Sequence, residues 1–482
     1  MTQQTGRVRE LNYTDIPLDT VNAFPLRDCY DSILAQDATL PPFQQAHPQQ
    51  HEPRHFDLET TTARFRLAHA RAKNQLVGFD EILEQQSLCM LAGRPVIMVG
   101  GTGFGKSLCA EALYSQFDAQ TRIFPIQLSK TMMEDALIGP LDPIRYKQGV
   151  YWHQTEGTMV SAHLVLLDEY SNANTHTKNS IHSLLNEGVL RRGQQTVECD
   201  IHFVVATGNH FDVGPEHAAA NDRFLGWAKL SSKVNPFAQM DIDQLYLRNG
   251  GAAVPGAQGE LLEIAELAFL QDVIRPVDGE SRIVFSPWMT FLKGMITKTY
   301  VEKADSTALQ ACPIELSPRR LAWCNDLVKA QALLSGRLSC IPEDLQKLKY
   351  GMTMIGNDQT LPSVFDQAYE TTIREFNGTN RDNNIYNVEY LMSIRSSIAS
   401  LKQDIQEGKT YAPTFAQKLK ILVGLLEEKE APFSHVKDSL KLKNLRTPSH
   451  ATIINEFRTF IEKELRALVE SIDSGLIDKA VN

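Results

Sequence analysis

The segment GGTGFGKS at residues 100–107 limits what this chain can fold into more than any other feature. It satisfies G-x-x-x-x-G-K-[ST] and lies between a short apolar run, PVIMV at 95–99, and a helix-like stretch, LCAEALYSQF at 108–117. A strand, a glycine-rich turn and a helix in that order direct backbone N–H groups and the positive end of a helix dipole at one point, which makes a seat for an anion. Gly100, Gly103 and Gly105 let the backbone curl round phosphate oxygens, with Gly101, Thr102, Phe104 and Leu108 completing the loop and the first helical turn. Lys106 is expected to reach the β and γ phosphates of a nucleotide, and the Ser107 hydroxyl to ligate magnesium. Such a loop needs a parallel sheet behind it.

Two more apolar runs meet that need, HLVLLD at 163–168 and HFVVAT at 202–207. Short apolar runs bounded by polar or glycine positions mark central strands buried on both faces, so the class is α/β with a parallel sheet. The first run ends in Asp168 and Glu169, which puts two carboxylates at the sheet edge where the phosphates would lie. Asp168 is expected to hold magnesium through its water shell, and Glu169 to orient or deprotonate the attacking water. The second run continues into ATGNH at 206–210, so Asn209 reaches the same edge. Its amide can hydrogen-bond both the γ phosphate and that water.

Around the sheet, the spacing of Phe65, Leu67, Ala68, Leu76, Ile82, Leu83, Leu88 and Leu91 predicts two helices interrupted at Gly78. Beyond Asn235 the pattern turns helical, with LLEIAELAFL at 261–270, PWMTFLKGMITKTY at 287–300 and RRLAWCNDLVKAQALL at 319–334. Further helical segments at 388–405 and 452–472 predict a bundle or extended arm, while the Pro, Gln and His cluster at 41–53 reads as an irregular N-terminal arm.

A formal charge of −10 argues against a surface built wholly to grip nucleic acid, although a local basic channel is compatible with it. The seven cysteines are scattered, odd in number and without a C-x-x-C pair, which fits reduced thiols in a cytoplasm. The N-terminal MTQQTGRVRELNYTD lacks the apolar region of a signal peptide, and no run approaches the length of a membrane span, so a cytosolic protein is expected.

Taken in order, GGTGFGKS, LLDEY, ATGNH, NDRF at 221–224 and SPRR at 317–320 resemble the MoxR family of AAA+ ATPases, in its helix-2-insert clade, from about Leu76 to about Leu348. The resemblance implies ATP and Mg2+ as cofactors, an AAA+ αβα core, and an α-helical lid after it. It places Val77 and Gly78 beside the adenine, makes Arg223 a finger on a neighbouring subunit's nucleotide, and makes Arg319 the sensor of the lid helix. It also implies a homo-oligomeric ring, by analogy a hexamer, that works beside a von Willebrand factor A domain protein on an unnamed client. The corresponding division is an arm at 1–58, the core at 59–240, linker helices at 241–280, the lid at 281–358 and a helical extension at 359–482. The chain departs from the family in reading ATGNH where A-T-Q-N-P is usual, and in its long arm and tail.

Residues 136–162 resemble the family's insert and predict a hairpin, on which Tyr146, Tyr151 and Trp152 either touch a substrate or pack across the strands. EGVLRRGQQTVE at 187–198 predicts a second hairpin turning at Gly193, with Arg191 and Arg192 near its tip. Two other functions share these motifs: a nucleic-acid motor or loader, and a nucleotide-gated assembly scaffold.

Overall fold

The computed structural model describes residues 43–44, 55–210, 222–230, 236–248, 259–276, 281–306, 316–353, 360–377 and 463–464. A two-residue antiparallel pair, β1 (Phe43–Gln44) with β2 (His55–Phe56), leads into α1 (Leu58–Asn74) and α2 (Asp80–Leu91). The Asp57 carboxylate accepts the Thr60 N–H at 2.8 Å and so caps α1. The break between the helices falls where expected, at Gly78, which takes φ +83°.

The chain then alternates strand and helix: β3 (Val96–Val99), α3 (Lys106–Tyr114), β4 (Ile123–Gln127), short α4 (Asp135–Ile138) and α5 (Pro143–Lys147), β5 (Leu164–Asp168), α6 (Thr175–Glu187), a β6 (Val189–Arg192) and β7 (Gln195–Glu198) hairpin, β8 (Phe203–Gly208) and β9 (Gly226–Lys229). The main sheet is parallel in the order β4-β5-β8-β3-β9. Its central strands are buried on both faces with period two. Val96, Met98, Leu164, Leu166, Phe203 and Val205 join one apolar cluster, while Ile97, Val99, Val165, Leu167, Val204 and Ala206 join the other.

Two strands of this sheet escape the sequence reading. β4 is an edge strand containing Pro125, half exposed along its length, so it shows no continuous apolar run. β9 begins at Gly226, where a Cβ would come within 2.7 Å of Cys89 Sγ, so the close approach of β9 to α2 requires glycine. At the opposite end of the sheet from the glycine loop, Asp200 gathers His163 Nε2 (3.0 Å), His202 Nε2 (3.4 Å) and Arg122 Nη2 (2.8 Å), which ties together the starts of β4, β5 and β8.

The predicted insert hairpin closes through one antiparallel bridge, Leu141 with His153, with Asp142 N donating to Trp152 O at 2.7 Å and Gln154 N to Pro140 O at 2.9 Å. Within it Asp142 accepts the N–H groups of Ile144 and Arg145, and Pro143 stands at the first helical position, so the chain between the bridged residues turns into α5 rather than continuing as strands. Tyr146 and Tyr151 meet edge to face at 5.4 Å, and the Arg145 guanidinium lies 4.2 Å from the Trp152 ring centroid. Both tyrosines remain about half exposed. The β6–β7 hairpin forms as expected with Gly193 at φ +57°, and at its tip Arg192 pairs with Glu134.

Beyond β9 lie α7 (Pro236–Arg248), α8 (Ile264–Ile274), α9 (Pro287–Ser306), α10 (Pro318–Leu334), a 3₁₀ turn (Pro342–Leu348), α11 (Lys349–Met352) and α12 (Leu361–Asn377). From α8 onward these elements share one apolar cluster with the near face of the sheet, running from Met98 and Leu113 to Leu327, Leu345 and Phe365, whereas Met240, Tyr246 and Leu247 of α7 are exposed. Polar ties reinforce it: Arg94 pairs with Asp326 at 3.0 Å while stacking 4.2 Å from Trp323, and Glu84 accepts from both Lys347 and Tyr350 at 2.7 Å. Among the described residues no helix is long and apolar enough to cross a membrane. The N-terminal arm apart from residues 43–44 and 55–58, and the predicted helices at 388–405 and 452–472 apart from 463–464, lie outside the described residues.

Candidate active site

Because β3, β8 and β5 are neighbours, the loops leaving their C-terminal ends converge. The loop after β3 depends on glycine at two points: Gly103 at φ +83°, and Gly105 at φ +74°, which forms the N-cap of α3. A Cβ at Gly103 would meet open space, so the interior of the loop is unfilled, and one at Gly105 would lie 3.2 Å from the Phe79 ring. Phe79 follows Val77 and Gly78 directly, so this contact brings the candidate adenine segment against the loop.

Lys106 is 7% exposed and folds back over its own loop, donating to Gly100 O (2.8 Å), Gly101 O (3.0 Å) and Asn209 Oδ1 (2.9 Å). Asn209 in turn donates to both carboxylate oxygens of Glu169, at 3.2 and 2.9 Å. Three sequence motifs from three strands are thus joined by hydrogen bonds. Glu169 takes φ +56°, ψ +37°, and it is the only non-glycine residue with positive φ among those described. A left-handed conformation costs an L-residue with a Cβ roughly 1–2 kcal/mol, and strain of this kind gathers at functional sites.

Two residues that sequence reasoning passed over hold this arrangement. The Thr207 hydroxyl donates to Asp168 Oδ1 and accepts the Glu169 N–H at 3.3 Å, while Asn172 Nδ2 donates to Glu169 Oε2 at 2.9 Å. The signal for Thr207 lay in the strand pairing: Leu167 stands opposite Ala206, so the next residues, Asp168 and Thr207, are adjacent. Beyond Glu169, on the β4 side, opens a cavity of about 490 Å³ lined by Gln127, Leu128, Ser129, Lys130, Glu169, Asn172 and Asn209.

The donor set fits a nucleotide with magnesium. Lys106 already uses its ammonium on oxygen acceptors at the mouth of an open amide-lined loop. Burial and the charge of Asp168 raise the Glu111 carboxyl, and Glu111 follows Ser107 by about one turn of α3. Hydroxyl and carboxylate oxygens suit a hard cation. Among the described residues no three His, Cys, Asp or Glu side chains converge on a metal, so most ligands of such an ion would be phosphate and water.

The two candidate arginines lie outside this network. Arg223 is set against α6, where the Asn186 amide oxygen, in the orientation that satisfies both partners, accepts from Nε at 2.6 Å and Nη2 at 3.2 Å. Its charge and that of Lys178 add to burial in lowering the nearby His182 to about 4. Arg319, at the start of α10, is exposed, with its guanidinium 5.9 Å from the Trp323 ring. Its successor, Arg320, is 1% exposed and is the arginine that α10 turns inward.

A parallel sheet in this order, with a glycine loop and helix after β3, adjacent acids ending β5 and an asparagine after β8, defines a P-loop core of the AAA+ kind. Residues 63–272 match the family model described as the MoxR domain in the MoxR-vWA-beta-propeller ternary systems. A candidate ATPase from Cytophaga hutchinsonii, known from its crystal structure, superposes with a TM-score of 0.51 at 16% identity, over 64% of this chain and 96% of that one. Chaperone MoxR1 of Mycobacterium tuberculosis is 26% identical over 289 residues, 57% of this chain and 70% of that protein. An uncharacterised protein of Methanocaldococcus jannaschii is 24% identical over 266 residues, which span 54% of this chain and 62% of the archaeal protein. The chain carries a MoxR-family AAA+ domain.

Proposed function

We propose that this chain binds ATP with magnesium and hydrolyses it within a homo-oligomeric ring, and that turnover remodels a partner protein complex. The observation that carries the reading is the bonded series Lys106, Asn209 and Glu169, because it unites a phosphate-binding cation, a water-positioning amide and a candidate general base at one sheet edge. Bound magnesium would be held by Ser107 and Asp168 and would neutralise charge on the β and γ phosphates. Glu169 then takes the water proton or orients the water, Asn209 fixes it against the phosphate, and Thr207 keeps Asp168 and the Glu169 backbone in register. Arg223, set against α6 through Asn186, serves the site of an adjacent subunit, where its planar fork meets the γ phosphate. Arg319 is exposed at the lid and serves the nucleotide of its own subunit.

The family description supports a von Willebrand factor A domain partner, with a β-propeller protein as third member. The test is steady-state ATP turnover measured alone and then with a von Willebrand factor A domain protein, a β-propeller protein, DNA and RNA. Acceleration by the first two supports the reading. Acceleration by nucleic acid alone would replace it with a motor or loader, and binding of ATP with no stimulated turnover would leave a nucleotide-gated scaffold.

A further inference from the structure

Arg320 is the largest side chain in the described core that is almost wholly buried, and it is a cation. Burying a guanidinium is costly unless its donors are used, so its partners reveal what it fixes. Nη2 donates to Phe224 O at 2.8 Å, Nη1 donates to Leu225 O at 3.3 Å and Gly351 O at 2.9 Å, and Nε lies 3.5 Å from Asp222 Oδ1. Ser317, whose hydroxyl accepts the Arg320 N–H at 3.0 Å, donates to the same Asp222 oxygen at 2.6 Å. The first turn of α10 therefore grips three consecutive landmarks of the segment 222–225: the side chain of Asp222 and the carbonyls of Phe224 and Leu225. Between these landmarks stands Arg223, whose side chain goes to Asn186 on α6. The Phe224 ring, buried between, meets Tyr170 edge to face at 5.2 Å, and Tyr170 is the residue after Glu169.

We propose that Arg320 is a positioning residue for Arg223: it locks the backbone on both sides of that arginine to the lid helix, so that the lid of one subunit sets the finger presented to the next. The inference rests on Arg223 acting in trans, as proposed above, and deepens it by naming what aims the finger. A methionine at 320 would fill much of the volume but release the carbonyls of Phe224, Leu225 and Gly351 and leave Asp222 held by Ser317 alone.

Arg320→Met protein should bind a fluorescent ATP analogue within about twofold of the parent, because its own loop is intact, while kcat falls about 10- to 100-fold, the scale of a finger displaced by about 1 Å. The decisive measurement mixes Arg320→Met with Glu169→Gln subunits, the latter inactive in their own sites but carrying a correctly held Arg223. Turnover per Arg320→Met subunit should rise on mixing, as it should in a parallel mixture of Arg223→Ala with Glu169→Gln. Recovery with Arg223→Ala but not with Arg320→Met overturns the role of Arg320 and leaves donation in trans standing. Recovery in neither, in rings shown by mass to be mixed, overturns both. Unchanged kcat in pure Arg320→Met rings also overturns it. Should Arg320→Met fail to fold by circular dichroism, Asp222→Asn loosens the same grip more gently, and the same mixtures decide.

Discussion

Replacing Glu169 by glycine should stabilise the protein relative to replacing it by alanine, the reverse of the usual order. Both substitutions remove the carboxylate, so both lose the hydrogen bonds from Asn172 and Asn209, and those losses cancel in the comparison. What differs is the Cβ in a left-handed backbone at φ +56°, which costs alanine roughly 1–2 kcal/mol and glycine nothing. Glycine gives back about 0.5–1 kcal/mol through its freer unfolded chain. At the middle of both ranges the net favours glycine by about 0.75 kcal/mol, a shift of roughly 1–3 °C in melting midpoint for a domain of this size. The assay is a pair of thermal or urea unfolding curves in nucleotide-free buffer, with Ala322→Gly as control. Ala322 is exposed on α10, where glycine should cost about 1 kcal/mol in the ordinary direction. Both Glu169 variants should bind ATP and fail to hydrolyse it. An alanine variant as stable as the glycine variant, with the control behaving normally, would refute the claim that the native site holds Glu169 under backbone strain.

Lys106→Ala should abolish nucleotide binding, whereas Glu169→Gln should keep binding and lose turnover; titration of a fluorescent nucleotide and a phosphate-release assay separate the two, and wild-type hydrolysis by Glu169→Gln would remove Glu169 from its role. His182, lowered to about 4 by burial and by Arg223 and Lys178, and His69, lowered to about 4 by burial and Lys73, bind fewer protons folded than unfolded between pH 4 and 6.5. Their stabilisation is therefore complete above pH 6.5 and is lost as pH falls toward 4, about 2 kcal/mol each by pH 5. His182→Gln, which can still accept from the Tyr170 hydroxyl, should flatten the decline in stability between pH 7 and 5. Phe365 on α12 is fully buried and meets Tyr300 edge to face at 5.6 Å, so Phe365→Ala should cost about 3–5 kcal/mol by denaturation. For the same reason a chain ended after residue 377 should still bind nucleotide, while one ended at 359, which strips α12 from α9, should lose stability.

The parts of the fold legible in the sequence are those written in local patterns. β3, β5 and β8 are apolar runs because both of their faces are buried, and the helix break at Gly78 is a single residue with positive φ. β4 was invisible because an edge strand needs no apolar run, and the insert hairpin pairs only at Leu141 and His153 because an Asp-Pro start turns the chain between them into α5. The extension expected from 359 begins instead with a helix whose Phe365, Ala368 and Tyr369 complete the core of the lid, a partnership between segments some 70 residues apart that no local window shows. We therefore group α12 with the lid.

The site divides along the same line. Lys106, Asp168, Glu169 and Asn209 could be named because each chemical role demands one residue type at one strand end, and spacing along the chain reports strand ends. Thr207, Asn172 and Arg320 could not, since a threonine inside a strand, an asparagine in a turn and the second of two arginines each look ordinary until the pairing partners are known. Arg319 and Arg320 show how fine the distinction is. Adjacent residues on a helix point about 100° apart, so in α10 one arginine meets solvent beside Trp323 and the other the backbone of residues 224, 225 and 351. The outward one keeps a charge free to meet a ligand; the inward one spends its donors on carbonyls and can act only by placing something else. In this chain that something is the segment containing Arg223, so the residue with no chemistry of its own stands where the geometry of a neighbour's site would be set.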